Sequence, residues 1–220
     1  MKKLALMVVL ALATLTINAQ EKKFTVKLGV ASSSIVGSDD KFFGASTGWK
    51  IGATYDINIA PNLYIIPGIE IVDKAFDAKK EFDYACGTVW EIAGEDSYTW
   101  KGTVDRYYIQ IPVSIAYKFN LSDALKLTVK AGPYVAYGFS GTEVDRSYSE
   151  NGGASYTSYY KKEIFDKGMN HRFDCGILAG ASLDIKRFVV GVEYSHGFTH
   201  QYNKTKAYNQ AIGAVIGYRF

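Results

Sequence analysis

Three histidines, two cysteines and a serine beside a histidine are the residues of this 220-residue chain whose types could do chemistry. The run Glu193-Tyr194-Ser195-His196 invites a hydrolytic reading, in which a serine is activated by an imidazole that a carboxylate orients. Its spacing argues against that. Apolar and polar residues alternate here, so sequence neighbours point to opposite faces of a strand. Ser195 and His196 then lie on opposite sides, and the positions that share the side of His196, Tyr194 and Phe198, offer neither nucleophile nor carboxylate. A metal site would need at least two of His171, His196 and His200 facing one another. The local register leaves only a diagonal pair, which is no ligand set. Cys86 falls in a polar stretch and Cys175 on an apolar face, so two free thiols are expected rather than a bridge. No catalytic residue, metal ligand or cofactor-binding residue follows.

The element that orders the rest is Arg106 to Phe119, RYYIQIPVSIAYKF. Its odd positions, Tyr107, Ile109, Ile111, Val113, Ile115, Tyr117 and Phe119, are all apolar, while the even ones are mostly polar or small. Such strict period two makes one face of a strand a band of hydrocarbon capped by aromatics. From Tyr107 to Phe119, at roughly 3.3 Å per residue and a tilt near 40°, that band rises about 30 Å, the thickness of a bilayer's hydrocarbon slab. One face in lipid demands closure, because an open sheet edge there would leave backbone groups unsatisfied.

Seven further stretches repeat the pattern. They are Phe24 to Ser32, Trp49 to Ile59, Leu63 to Lys74, Leu125 to Phe139, His171 to Ile185, Phe188 to Phe198 and Tyr208 to Phe220. The expectation is an all-β, eight-stranded, antiparallel up-and-down transmembrane barrel. Short connections at 60–62, 120–124 and 186–187 alternate with long ones at 33–46, 75–103, 140–170 and 199–207. Such asymmetry suits short periplasmic turns and longer outside loops. Pairing Ile185 with Phe188 across Lys186-Arg187 keeps both apolar sets on one side. Pro67, Pro112 and Pro133 each remove a ladder donor, and bulges are expected there.

The opposite faces carry Lys27, Lys50, Asp56, Glu70, Lys74, Arg106, Lys118, Lys126, Lys130, Arg172, Asp174, Asp184, Glu193 and Arg219. An eight-stranded barrel has just room for side chains to fill its interior. Charges placed there must pair, since burying one sign alone is costly. A salt-bridged plug is the expected result; a gated ion path is the alternative.

Met1 to Ala19 reads as a secretory signal peptide: Lys2 and Lys3, an apolar run from Leu4 to Leu15, then Asn18-Ala19 before Gln20. Residues 20–220 form one barrel domain. Without Lys2 and Lys3 the formal charge of +3 falls to +1, and nothing argues for nucleic acid. The share of aromatic residues, 15%, with 21 Gly and 17 Tyr, suits interfacial girdles and close-packed barrels.

RYYIQIPVSIAYKF, KAGPYVAYGF, FDCGILAGASLDIKRFVVGVEYSHGFT and the final IGAVIGYRF together resemble the PorT-like outer-membrane β-barrel family of Bacteroidota, close in architecture to the small OmpA/OmpX-type barrels. The resemblance spans roughly the whole mature chain. It implies residence in the outer membrane, contact with its lipid, and a monomer without cofactor or enzymatic activity. Some members are implicated in protein secretion across that membrane. Terminal Phe220, with Tyr218 before it, resembles the signal read by the outer-membrane insertion machinery. EYSHGFTH also invites comparison with outer-membrane lipid A deacylase, and fails on the spacing given above. Loop stretches rich in Tyr, Trp, Ser and Gly, Tyr84 to Trp100 and Ser147 to Lys162, suit an extracellular or secretion-complex protein partner. The expected role is structural, adhesive, or in assembly and secretion. A narrow ion or solute channel and a soluble, lipocalin-like ligand-binding barrel are the alternatives, the last requiring an apolar inside and a polar outside.

Overall fold

The computed structural model describes residues 23–37, 43–82, 98–149, 160–165, 171–201 and 207–220. The signal-peptide expectation for residues 1–19 lies outside them, as do Cys86 and most of the two Tyr-rich loop stretches. Regular structure among the described residues is all strand: β1 (Phe24–Gly37), β2 (Phe43–Tyr55), β3 (Ile57–Ala60), β4 (Leu63–Asp73), β5 (Phe76–Phe82), β6 (Tyr98–Ser122), β7 (Leu125–Ser149), β8 (Tyr160–Glu163), β9 (Phe173–Ile185), β10 (Phe188–Gly197) and β11 (Ala207–Arg219).

These make a closed antiparallel barrel of eight staves. β2 and β3 are one stave broken at Asp56, β4 and β5 another broken at Lys74 and Ala75, and β8 lies as a short addition on β7. Closure comes from β1 pairing with β11 in unbroken register, from Thr25 opposite Arg219 to Gly37 opposite Ala207. The sheet thereby has no open edge in the lipid slab, the condition on which a sheet can cross a membrane.

Side-chain parity follows lipid. Ile109 (43% exposed), Val129 (45%) and Val192 (57%) face outward, while Glu193 retains only 4% exposure. Aromatic rings edge this belt. Toward the long loops Trp49, Tyr107 and Phe139 form a chain with centroids 6.1 and 6.4 Å apart. Toward the short turns Tyr218 meets Phe188 (5.5 Å) and Phe220 (5.0 Å) edge-on. Along β6 the ten steps from Tyr107 to Tyr117 rise about 25 Å, the height of a lipid-facing apolar band.

The short turns fall where the sequence implies, though the one read as 120–124 tightens to Asp123-Ala124 because β6 runs on to Ser122. Phe188 stands opposite Ile185, with Lys186 at φ 56°, and Asn62 takes φ 63° after Pro61. Two expectations need correction. First, the long connections are shorter than read: β1 runs to Gly37, β5 and the start of β6 pair from Phe76 opposite Val104 to Phe82 opposite Tyr98, and β7 continues to Ser149. β6 and β7, at 25 residues each, far exceed the roughly 9–11 that a bilayer needs. Beyond the lipid no apolar face is demanded, so alternation stops in the sequence while backbone pairing goes on.

Second, the prolines carry no bulges. Pro67 opposes Val113, Pro112 opposes Tyr134 and Pro133 opposes Ile177, and the register is the same on either side of each. The register shifts fall instead at Asn58/Ala60, Tyr107/Tyr108 and Asn120/Ser122, next to a turn or at the aromatic girdle.

The one apolar cluster among the described residues lies at the loop end of the lumen. Ile164 and Phe165, just after β8, reach in over Phe76, Val104, Tyr108 and Tyr134. Phe165 meets Tyr108 edge-on at 6.0 Å. Gly138 makes room for it, since a Cβ there would stand 2.5 Å from Phe165 Cζ.

Ile111, 48% exposed near mid-belt, tests the outward parity. Ile111→Arg is expected to cost about 2–4 kcal/mol in equilibrium unfolding from lipid vesicles.

Candidate functional site

The charged side chains assemble in tiers down the lumen. The middle tier is centred on Glu193 of β10. Its Oε1 accepts from Lys27 (2.8 Å) and Lys130 (2.6 Å), its Oε2 from Lys50, and Lys27 also pairs with Glu70 at 2.6 Å. Gln110 Nε2 donates to Glu70 at 3.3 Å. Six staves thus meet at two carboxylates. Small residues give them space: a Cβ on Gly52, directly opposite Glu70, would stand 2.7 Å from Glu70 Cγ.

The loop-end tier is built on Asp174 of β9, which takes Lys74 (2.7 Å), Asn209 (2.9 Å) and Tyr134 (3.2 Å) on one oxygen. Arg106, 1% exposed, donates to Asn209 (2.6 Å), Gln201 (3.0 Å) and the Lys74 carbonyl (3.2 Å), and lies over the Phe76 ring. The turn-end tier joins Asp56 to Lys118, and Arg219 to Asp184 (2.8 Å) and Asp56 (3.6 Å). Thr128 donates to Asp184 at 3.0 Å.

Of the residues singled out in the sequence, Lys27, Lys50, Glu70, Lys130 and Glu193 are brought into one cluster, Asp174 into a second, and Asp56 and Arg219 into a third. Two members of the inward set lie elsewhere. Arg172 sits at the loop rim, above the acids. Its guanidinium donates to the carbonyls of Gly138 and Phe165, both at 3.2 Å, and stacks on the Phe165 ring, which pins the inserted segment. Lys126 is exposed at the turn-end mouth. Tyr108, Gln110, Thr128 and Tyr134 share the inward parity and could have been added from it. Gln201, fully buried, could not: it comes from the β10–β11 connection, where no periodicity marks it.

The remaining polar candidates, Ser195 excepted, lie apart from the lumen clusters. His200 Nε2 and the Tyr208 hydroxyl are 2.9 Å apart, and the His196 ring packs on Phe198 at 5.7 Å. Thr199 bonds the Cys175 amide at 2.9 Å and lies 3.5 Å from its thiol. Ser195 lines a 20 Å³ cavity inside the barrel beside Lys50 and Glu193. At the C-terminus the Phe220 amide donates to the Phe24 carbonyl at 2.8 Å, and Tyr218 accepts from Arg187 at 3.1 Å.

Against known proteins, the family model described as outer membrane protein beta-barrel domain matches residues 18–203. This chain belongs to that family, and its place is the outer membrane. Among solved structures it is similar to Neisserial surface protein A, at 16% identity and TM-score 0.41, covering 90% of this chain and 97% of that one. It is also similar to Ail, the attachment invasion locus protein of Yersinia pestis (12%, 0.40, 91% and 100%), and to the outer membrane enzyme PagL (13%, 0.47, 86% and 99%). No curated protein sequence matches it.

Removing Glu193 would leave three buried ammonium groups around one remaining carboxylate. Glu193→Ala is expected to cost about 3–5 kcal/mol, the range for breaking a buried pair, read from unfolding in detergent and from loss of the heat-modifiable band on gels. Asp105 lies beyond the aromatic girdle, where burial and the nearby Asp77 hold its carboxyl above the ordinary range. A raised acid favours the protonated fold, so stability falls as pH climbs from the unfolded carboxylate value through the raised one. Asp105→Asn is therefore expected to be more stable than the parent at neutral pH and equal to it near about pH 3, by urea midpoints.

Proposed function

We propose that this chain is a non-enzymatic outer-membrane barrel with a shut lumen, whose extended hairpins present a surface to a protein partner in adhesion or in assembly and secretion. The carrying observation is the fill. At the level of the ion pairs, two cavities among the described residues measure 40 and 20 Å³, room for little more than isolated waters. The charges between them are spent on one another. A soluble lipocalin-like barrel would place its apolar residues inside, the reverse of the exposed belt of Leu28, Ile69, Ile115 and Ile212.

In this reading the termini and short turns lie in the periplasm, and the pairing of β5, β6, β7 and β8 carries a small sheet beyond the outer leaflet. Absence of catalysis rests on Ser195 lining the interior while His196 packs on the outside against Phe198. The strand motifs support the finer PorT-like assignment and its link to secretion. Tyr218 and Phe220 serve as the signal for the insertion machinery, and the chain works as a monomer in lipid.

Planar bilayers are expected to show no steady current with the native chain. A selective current abolished by Glu193→Gln would establish the channel alternative instead. Replacing residues 78–102 and 143–162 with tight turns is expected to keep the heat-modifiable barrel while abolishing co-isolation of its outer-membrane partner.

A further inference from the structure

Every ammonium group of the middle tier has a carboxylate partner, yet the charges there do not cancel. Lys27, Lys50 and Lys130 share only Glu70 and Glu193. The neighbouring tiers have no carboxylate to lend. Toward the turns Asp56 and Asp184 are matched by Lys118 and Arg219, and toward the loops Asp174 already takes Lys74. Among the described residues a positive charge is thus left over at the middle tier, in an interior where an unbalanced charge is expensive. Donors are left over as well. An ammonium group offers three N–H, and Lys130 spends one of them, on Glu193 at 2.6 Å.

On the turn side of this cluster lies the 40 Å³ cavity, lined by Lys27, Lys130 and Arg219 and by the hydroxyl side chains of Thr25, Thr54 and Ser182. The Thr54 and Ser182 hydroxyls make no hydrogen bond among the described residues, and that of Thr25 only accepts, from Arg219 at 3.3 Å. The acids that also line the cavity, Asp56 and Glu193, are already covered by cations. Nor is the cavity sealed. The side chains of Lys130 and Arg219 keep 14% and 12% exposure, and Arg219 and Asp56 also line a vestibule of about 1340 Å³ that opens at the turn end. Six basic side chains against three acidic ones line that vestibule. The ammonium groups of Lys126 and Lys186 on its rim make no hydrogen bond or ion pair among the described residues, so its field draws anions inward.

A water molecule in the cavity would meet the hydroxyls and leave the charge. A cation would be repelled by the ammonium groups, and an oxyanion such as phosphate is too large. We propose that the cavity is a binding site for one small monovalent anion, a halide, with Lys130 as its principal donor. A volume of 40 Å³ suits an ion little larger than water, whose share of the liquid is about 30 Å³. Bound there, the halide completes the charge balance of the middle tier.

The test is thermal unfolding of the full chain in uncharged detergent, in sodium gluconate, chloride or bromide at equal ionic strength. Replacing gluconate by about 100 mM chloride or bromide is expected to raise the midpoint by about 5 °C, with a dependence that saturates. Lys130→Met, which leaves two ammonium groups with two carboxylates, should unfold at the same temperature in all three salts. On the native chain, crystals grown in bromide should show a bromine anomalous peak within hydrogen-bond reach of Lys130 Nζ, a readout independent of how the variant folds. A midpoint indifferent to halide, or a shift that climbs without saturating or survives Lys130→Met, would overturn the proposal. So would a cavity holding water alone, with the surplus charge shed as a proton.

Discussion

Hydrocarbon offers no hydrogen bonds, and from that one deficit the rest of the structure follows. Each unpaired N–H or C=O in the slab would cost several kcal/mol, so the sheet must close on itself. β1 and β11 do so along their whole length, with Thr25 and Arg219 at one end and Gly37 and Ala207 at the other. Closure in turn fixes parity. With one face of every stave in lipid, the other face must fill a space too narrow for solvent, and whatever polar groups it carries must find partners among themselves.

The lumen answers that demand by convergence rather than by pairs. Glu193 takes three lysines from three different staves, and Lys27 hands one bond on to Glu70. Asp174 gathers an ammonium, an amide and a phenol. Sharing acceptors across distant strands ties the barrel's circumference together. The loop end is closed further by Phe165 and Gln201, both contributed from connections between staves. The turn end has no such insertion among the described residues, which is why the space there stays open and why two rim lysines remain uncommitted.

What the sequence showed depended on which solvent a residue faced. Strand parity was legible wherever lipid enforced it, as along Tyr107 to Phe119, and the Ile185–Phe188 turn was legible because a slip would have turned one apolar set inward. Strand ends were not, because the backbone of Phe76 to Phe82 goes on pairing above the lipid, where an alternating apolar face is no longer demanded. Parity also gives side, not depth. Lys118 and Lys126 share the inward set, yet the first pairs with Asp56 while the second stands in the mouth, and Arg172 rises above the acids to bond carbonyls. The prolines misled for a different reason: the ladder keeps its register past Pro67, Pro112 and Pro133 without an extra residue.

Depth-resolved fluorescence along β6 tests the inside-out arrangement most directly. Single tryptophans placed in turn at positions 109 to 116, in a chain whose native tryptophans are replaced, would be read in vesicles containing brominated lipid. Strong quenching at 109, 111, 113 and 115 and little at 110, 112, 114 and 116 is the expected result. Quenching at the even positions, or the same at all, would contradict the account.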